Sequence, residues 1–220
     1  MITNYWSTFV DIIYPPKCPS CKALVQEHGA WCQQCLANIL SVRDINLIEH
    51  RLKYLTACRA VCEYTGGLKR IIHDMKFRQQ KKYAIHLKWL LASCKLPKYL
   101  SQIDYVVPVP LHSDRLKERG YNQTELIFKE WSKEQNLCWM PDLLMRKKHT
   151  IPQWELTLTD RKQNIKGAFI TTRPDRVNNQ NILLVDDIVT TGITLDECAK
   201  VLKKAGAKSV YALTIASGAR

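Results

Sequence analysis

The sequence predicts a mixed α/β fold, with a mostly parallel sheet flanked by helices, and a small four-cysteine zinc finger ahead of it. After residue 57, short apolar segments alternate with segments whose apolar residues recur at helical spacing, which is typical of a parallel sheet with crossover helices. The 220 residues, 46% of them hydrophobic, suffice for one ordinary core and a small appendage. We therefore expect a zinc-finger module over residues 1–56 and an α/β domain over residues 57–220.

Four of the nine cysteines form two Cys-x2-Cys pairs that are separated by ten residues. In an intracellular chain such pairs predict a metal site, because four thiolates close a tetrahedral shell around Zn²⁺ and leave no position for a substrate. Free thiols or a redox pair are the alternative, and the other five cysteines fit packing positions. The expected structural zinc ligands are Cys18, Cys21, Cys32 and Cys35.

The predicted elements follow the apolar pattern along the chain. Apolar residues spaced three or four apart favour helices, whereas contiguous or alternating apolar residues favour strands. Strands are expected at 57–64, 104–110, 181–186 and 208–216, with short ones at 143–145 and 168–171. Helices are expected at 68–77, 81–95, 122–136 and 195–205.

The segment 182–194 carries the most informative chemistry. Four apolar residues predict a strand buried on both faces, and Asp186 and Asp187 follow at its carboxyl end, where open α/β sheets bind ligands. The Thr- and Gly-containing loop then enters a helix and offers N–H groups and hydroxyls to a phosphate, with Gly192 expected to let the backbone come close to the anion. Carboxylates repel phosphate but suit sugar hydroxyls and a divalent cation, so a sugar phosphate satisfies both halves. The alternative is a strand end with an incidental helix cap.

Residues 182–195 resemble the phosphoribosyl pyrophosphate (PRPP) signature of type I phosphoribosyltransferases. The resemblance implies a domain in which Asp186 and Asp187, the expected catalytic residues, hold the ribose hydroxyls while the loop holds the 5′-phosphate. It also implies Mg²⁺ as the ion bound with PRPP. The implied PRPP-binding residues are Asp186, Asp187, Ile188, Val189, Thr190, Thr191, Gly192, Ile193 and Thr194.

A second, narrower resemblance concerns the middle of the chain. The sequence Arg-Gly-Tyr-Asn-Gln at 119–123, together with the other matching segments and the four-cysteine module, resembles the ComF family of bacterial competence proteins, also called the ComFC or GntX group. The other matching segments are 107–111, 150–156 and 161–169. By position, the loop after the strand at 104–110 corresponds to the pyrophosphate loop of the transferases. Its implied residues are Pro110, Leu111, Arg115 and Arg119; the alternative is a surface helix whose arginines pair with Glu118.

Residues 146–166 form a long polar segment rich in Thr, Gln and Lys. By position they resemble the loop that closes over PRPP in the transferases, and lids of this kind exclude water from a reaction. Arg161 and Lys162 could then reach the diphosphate. An ordinary exposed connection is the alternative.

The net charge of +13 is concentrated in one part of the chain. Residues 58–100 hold ten Lys and Arg residues against two acidic ones, and Phe77 and Tyr83 are interleaved with them. A basic groove with stacking aromatics is how proteins bind single strands without reading sequence, although a solvated face is the alternative. The candidate nucleic-acid-binding residues are Lys69, Arg70, Lys76, Arg78, Lys81 and Lys82, of which Lys76 could instead serve the pyrophosphate end.

The expected function follows from these motifs and the resemblance together. The favoured hypothesis is an accessory protein of DNA uptake that binds PRPP and single-stranded DNA in the cytoplasm, with proteins of the uptake machinery as possible partners. An active phosphoribosyltransferase and a ligand-sensing regulator are the alternatives. No apolar run approaches the roughly 20 residues of a membrane-spanning helix, and no secretory signal is expected at the start.

Overall fold

The computed structural model describes residues 11–95, 97–148 and 163–218. Its strands are β1 (Leu40–Asp44), β2 (Ala57–Glu63), β3 (Tyr105–Pro108), β4 (Cys138–Trp139), β5 (Leu144–Arg146), β6 (Phe169–Thr171), β7 (Asn181–Val189) and β8 (Ser209–Ser217). Its α-helices include α1 (Gln33–Ile39), α2 (Gly66–Phe77), α3 (Ala84–Ala92), α4 (Ser113–Arg119), α5 (Gln123–Glu134), α6 (Pro174–Val177) and α7 (Ile193–Lys204). Two 3-10 turns, Lys81–Tyr83 and Lys98–Gln102, precede α3 and β3.

Six strands form one sheet in the order β1-β2-β8-β7-β3-β4. The neighbours from β2 to β4 are all parallel, and only β1, at the edge, runs antiparallel to β2. Strands β5 and β6 pair with each other in a separate antiparallel sheet. The predicted α/β fold with a mostly parallel sheet is therefore confirmed.

Helices cover both faces of the central strands. Leu183 and Val185 of β7 pack in a core with α2, α3 and α5, whereas Ile182 and Leu184 pack on the opposite face with α7. All four side chains are fully buried, as expected for a strand covered on both faces, because successive side chains of a strand point to opposite sides.

Strand β7 is longer than the sequence pattern predicts. It runs through both acidic residues to Val189, because β8 continues to pair with it as far as Val189 and Ser217. The expectation that the strand ends at residue 186 was therefore wrong. The prediction also omitted α4, whose seven residues include only one apolar side chain, Leu116, and so show no apolar stripe.

The segment before β2 packs into the same core as the sheet. Strand β1 pairs with β2, and Ile45, Leu52 and Leu55 are buried against residues of β7 and α7. Leu52 lies directly against Gly192. No helix within the described residues is long and apolar enough to cross a bilayer.

Candidate functional site

At the carboxyl edge of the sheet β7 extends past its neighbour β3, and we call the step between the two strands the notch. Strand β3 stops at Pro108, which lies opposite Val185, while β7 continues with Asp186 and Asp187. The first turn of α5 and the C-terminal end of α2 lie beside this notch, because Thr124 of α5 contacts Asp186 and Lys76 of α2 contacts Asp187. The pair thus lies where ligands bind in open α/β sheets.

Asp187 is 2% exposed and forms an ion pair with Lys76, whose Nζ lies 2.9 Å from Asp187 Oδ1. Its second oxygen, Oδ2, is buried and has no hydrogen-bond partner among the described residues. A buried carboxylate oxygen is costly without a donor or a cation. Asp187 therefore suits a hydroxyl group or a divalent cation, because both supply that missing partner.

Asp186 is held by two donors. The hydroxyl of Thr124 donates to its Oδ1 at 3.3 Å, and the backbone N–H of Asp187 donates to the same atom at 2.8 Å. Burial and the charge of Asp187 raise the pKa of Asp186 to about 7, while Lys76 and the two hydrogen bonds act in the opposite direction. Two adjacent carboxylates therefore share an environment that favours an added cation.

The Arg-Gly-Tyr-Asn-Gln segment builds the wall opposite the acidic pair. Gly120, at a φ of 76°, ends α4, and Asn122 caps α5 by accepting from the N–H of Thr124 at 3.0 Å. The Tyr121 hydroxyl donates to the carbonyl of Met75 and fixes this wall to α2. Arg119 donates to Gln123 and is close enough to Asp187 that this charge opposes the lowering of the Arg119 pKa by burial. The segment therefore brings the Arg119 guanidinium toward Asp187, and its cap at Asn122 starts the helix that carries Thr124.

The other residues of the expected pyrophosphate loop are Pro110, Leu111 and Arg115. Pro110 and Leu111 are half-buried in the loop after β3. Arg115 pairs with Glu118 at 2.9 Å, which is the surface pair considered as the alternative. The charge of Arg115 nevertheless acts on the half-buried Arg146 of β5.

Arg146 is a candidate site residue that the sequence analysis did not single out. Burial lowers the pKa of its guanidinium, whereas the charges of Cys198 and Asp186 raise it. The guanidinium also lies 5.6 Å from the centre of the Phe169 ring. An arginine that ends a short strand before a long polar segment is the only signal in the sequence, and it is a weak one.

The loop between β7 and α7 has Thr190 exposed and Thr191 and Thr194 half-buried, with Ile188 half-buried and Val189 within the strand. Gly192 has a φ of 72° and caps α7. A Cβ there would lie 2.5 Å from Leu52 Cδ1, so the glycine accommodates a neighbouring side chain. The expected approach of its backbone to an anion stays a prediction.

The four paired cysteines lie together, with their sulfur atoms all within 4.8 Å of one another. The Sγ atoms of Cys21 and Cys32 are 3.5 Å apart, close to the separation of two ligands on a tetrahedral zinc with Zn–S bonds of about 2.3 Å. Burial acts to raise the pKa of Cys18, but N–H groups of Cys21, Cys32 and Ser20 lower it to about 7. This donor set fits Zn²⁺.

The zinc module is docked onto the α/β domain through specific contacts. Arg70 of α2 donates to the carbonyls of Pro19 and Ser20 at 3.2 and 2.8 Å. The indole N–H of Trp31 donates to the carbonyl of His86 on α3 at 3.2 Å. The metal therefore organises a surface that contacts two helices.

Comparison with known proteins shows where these features recur. The phosphoribosyl transferase domain model matches residues 116–220, and the double zinc ribbon domain model matches residues 9–44. Competence protein F of Haemophilus influenzae is 30% identical over 200 residues, which cover 89% of this chain and 82% of that protein. The chain belongs to the ComF family of competence proteins.

Two further relatives of this ComF-family chain extend the comparison. The DNA utilization protein YhgH of Escherichia coli is 33% identical over 154 residues, covering 68% of this chain and 67% of that protein. Competence protein ComFC of Bacillus subtilis is 27% identical over 207 residues, covering 90% and 76%. The expected family, the phosphoribosyltransferase-like domain and the structural zinc site are therefore confirmed.

The candidate nucleic-acid-binding residues of this ComF-family chain have different contacts, and their binding role stays a prediction. Lys76 joins the acidic pair, and Arg70 is engaged by the zinc module. The other four belong to α2, its C-terminal cap and the turn before α3. Lys69 lies over the Tyr64 ring, Arg78 pairs with Asp74, Lys81 lies over the Tyr121 ring and Lys82 lies over the Tyr83 ring. Arg161 and Lys162, the expected lid residues, lie outside the described residues.

Proposed function

We propose that this chain binds PRPP with Mg²⁺ at the notch of the sheet and acts as an accessory protein of DNA uptake in the cytoplasm. The observation that carries the proposal is the buried Asp187 carboxylate, whose Oδ2 has no hydrogen-bond partner among the described residues, beside a half-buried second acid. The chain spans most of the length of Competence protein F, whose name supports the role in uptake.

The two halves of the ligand would bind to different parts of the notch. Asp186 and Asp187 accept hydrogen bonds from the ribose hydroxyls, and either carboxylate offers oxygen ligands to Mg²⁺. The loop at 190–194 supplies hydroxyls and the N-terminus of α7, where the helix dipole and N–H groups favour the 5′-phosphate.

The pyrophosphate would lie toward the guanidinium groups. Arg119 and Arg146 are both buried enough for burial to lower their pKa, and each senses the charge of one acid of the pair. Arginine binds phosphate bidentately and stays charged when buried. Arg115 would have to leave its ion pair with Glu118 in order to bind the pyrophosphate.

The binding test is calorimetric titration of the protein with PRPP, with and without Mg²⁺. We expect saturable binding that requires the metal, because the acidic pair and the anionic ligand repel each other without it. Ribose 5-phosphate serves as the control ligand, since it lacks the diphosphate. Equal binding of PRPP in excess EDTA would contradict the role of the cation.

The affinity for Mg²⁺–PRPP is expected to depend on pH. Because the pKa of Asp186 is raised to about 7, its carboxylate is ionised above that value and protonated below it. Affinity should therefore rise between pH 6 and pH 8, as the ionised form is the better acceptor and metal ligand. The measurement is the same titration over this range, with Asp186→Asn as the control that should lose the dependence.

The proposed binding of single-stranded DNA rests on the net charge of +13 and on the names of the relatives. Binding through Lys and Arg releases counterions, so affinity for an oligothymidylate should fall steeply with salt. Fluorescence anisotropy at increasing sodium chloride measures the slope. A weak affinity that is independent of salt would contradict a basic binding surface.

An active phosphoribosyltransferase is the second candidate function. The guanidinium groups beside the acidic pair favour it, because they could stabilise the charge that develops on a departing pyrophosphate. The test is pyrophosphate release with a panel of nucleobases and amines. Release with any acceptor supports the enzyme, whereas silence with PRPP still bound supports the accessory role.

A further inference from the structure

A cleft of about 400 Å³ lies between the zinc module on one side and the turn before α3 and the start of α3 on the other. The module forms one wall with Lys17, Lys22 and His28, and the α/β domain forms the other with Lys82, Tyr83 and His86. None of the described residues that line the cleft is acidic, although Asp11 pairs with His28. It is thus a cationic concavity between two parts of the fold, separate from the notch that holds the acidic pair.

The two walls are held together by direct hydrogen bonds. The Nδ1 atom of His86 bonds with the carbonyl of Gly29 at 3.0 Å, and the indole N–H of Trp31 donates to the carbonyl of His86. Gly29 has a φ of 97°, and a Cβ at this position would lie 3.0 Å from Ile85 Cγ1. The close approach of the module to α3 therefore gives the cleft a fixed width.

The lysines of the cleft are available for a ligand. Within the described part of the chain, Lys17, Lys22 and Lys82 form no ion pair; Lys22 donates to the carbonyl of Pro19 at 3.2 Å. Asp11 pairs with His28 on the wall of the cleft at 2.8 Å, and Glu27 accepts from Trp89. The three lysines therefore keep their charge unpaired among the described residues.

An aromatic ring completes the chemistry of the cleft. Tyr83 is half-buried, with Lys82 Nζ 5.6 Å from its ring centre and the His86 ring 6.2 Å away. Phosphate groups alone do not require such a ring, but bases of an unpaired strand stack on aromatic side chains in any sequence. Cations on both walls beside a stacking surface thus match a single strand better than a free phosphate.

We propose that this cleft binds single-stranded DNA, with lysines of both walls on the phosphates and Tyr83 stacked on a base. The proposal rests on the proposed DNA binding and moves its main site from α2 to the cleft beside the zinc module. Lys81, next to Lys82, lies over the ring of Tyr121, whose hydroxyl donates to the carbonyl of Met75, the neighbour of Lys76.

The test is fluorescence anisotropy with a labelled oligothymidylate, using Lys17→Glu with Lys22→Glu on the zinc-module wall. Because each lysine that contacts a phosphate contributes about 0.7 to the salt slope of a single strand, the double variant should bind at least about tenfold more weakly at low salt, with a slope smaller by about 1.4. The matched control is Lys129→Glu with Lys133→Glu on α5, which changes the charge equally away from the cleft. Zinc content and PRPP binding report whether the variants remain folded.

The outcomes distinguish failure of the cleft proposal from failure of the proposed DNA binding. Equal losses of oligothymidylate affinity in the two double variants would overturn the assignment of the binding site to the cleft while leaving DNA binding in place. No binding by the unmodified protein would overturn the proposed DNA binding itself. Tyr83→Ala should weaken binding several-fold and Tyr83→Phe should not, since only the ring is required; equal affinities for these two variants would overturn the stacking contact.

Discussion

Changing both acids of the pair, Asp186→Asn with Asp187→Asn, is expected to weaken Mg²⁺–PRPP binding by at least about a hundredfold, since hydrogen bonds to charged groups contribute about 1.5–3 kcal/mol each and two are lost. The amides keep the shape of the carboxylates but supply neither charge nor metal affinity. Calorimetry measures the loss. Asp175→Asn, an exposed acid at the start of α6, is the control.

The same substitution at Asp186 alone is expected to raise thermal stability at pH 8. The pKa of Asp186 is about 7 in the folded chain and lies near its ordinary value of 3.8 in the unfolded chain, so ionisation destabilises the fold as pH rises through that interval. Thermal melts of Asp186→Asn and the unmodified protein should therefore converge below pH 4. A variant that is less stable at pH 8 would show that the carboxylate is structural.

Loss of the zinc ligands is expected to unfold the N-terminal module and to release it from α2 and α3. Structural zinc in small modules contributes about 10–16 kcal/mol of apparent binding free energy, and few buried apolar residues replace it there. Cys35→Ser should lose the metal and the amide protection of residues 17–35. Metal analysis and hydrogen exchange measure both effects.

Cys138→Ser is the matched control for the zinc prediction, because this exposed cysteine lies outside the four-cysteine cluster. It should keep one zinc ion per chain and the protection pattern of the unmodified protein. Full zinc content in Cys35→Ser would contradict the four-sulfur site. If the metal is lost but protection remains, the module is held by its contacts with Arg70 and His86 instead.

The parts of the fold and site that sequence predicts are those with short-range signals. The Cys-x2-Cys pairs, the apolar run before Asp186 and the cap at Asn122 each lie within a few residues, and the family resemblance added the connection between them. The domain limits and the ligand-binding roles stay predictions.

The remaining features depend on which elements pack together, and no local pattern encodes that. Lys76 belongs to a run of cations that favours a nucleic-acid surface, yet the packing of α2 on the sheet carries its ammonium group to Asp187. Arg146 belongs to a separate small sheet, yet the charge of Asp186 acts on its pKa. The length of β7 is likewise set by β8, which pairs with it beyond the acids.

The packing of Leu52 against Gly192 has a practical consequence for work on the isolated α/β domain. A chain started at residue 57 would lack β1, Leu52 and Leu55, so the turn that opens α7 would lose its support and β2 would become an unpaired sheet edge. Unpaired edges invite pairing with other chains. Such a fragment should self-associate, and a weak ligand response from it would reflect the missing segment rather than the chemistry of the pocket.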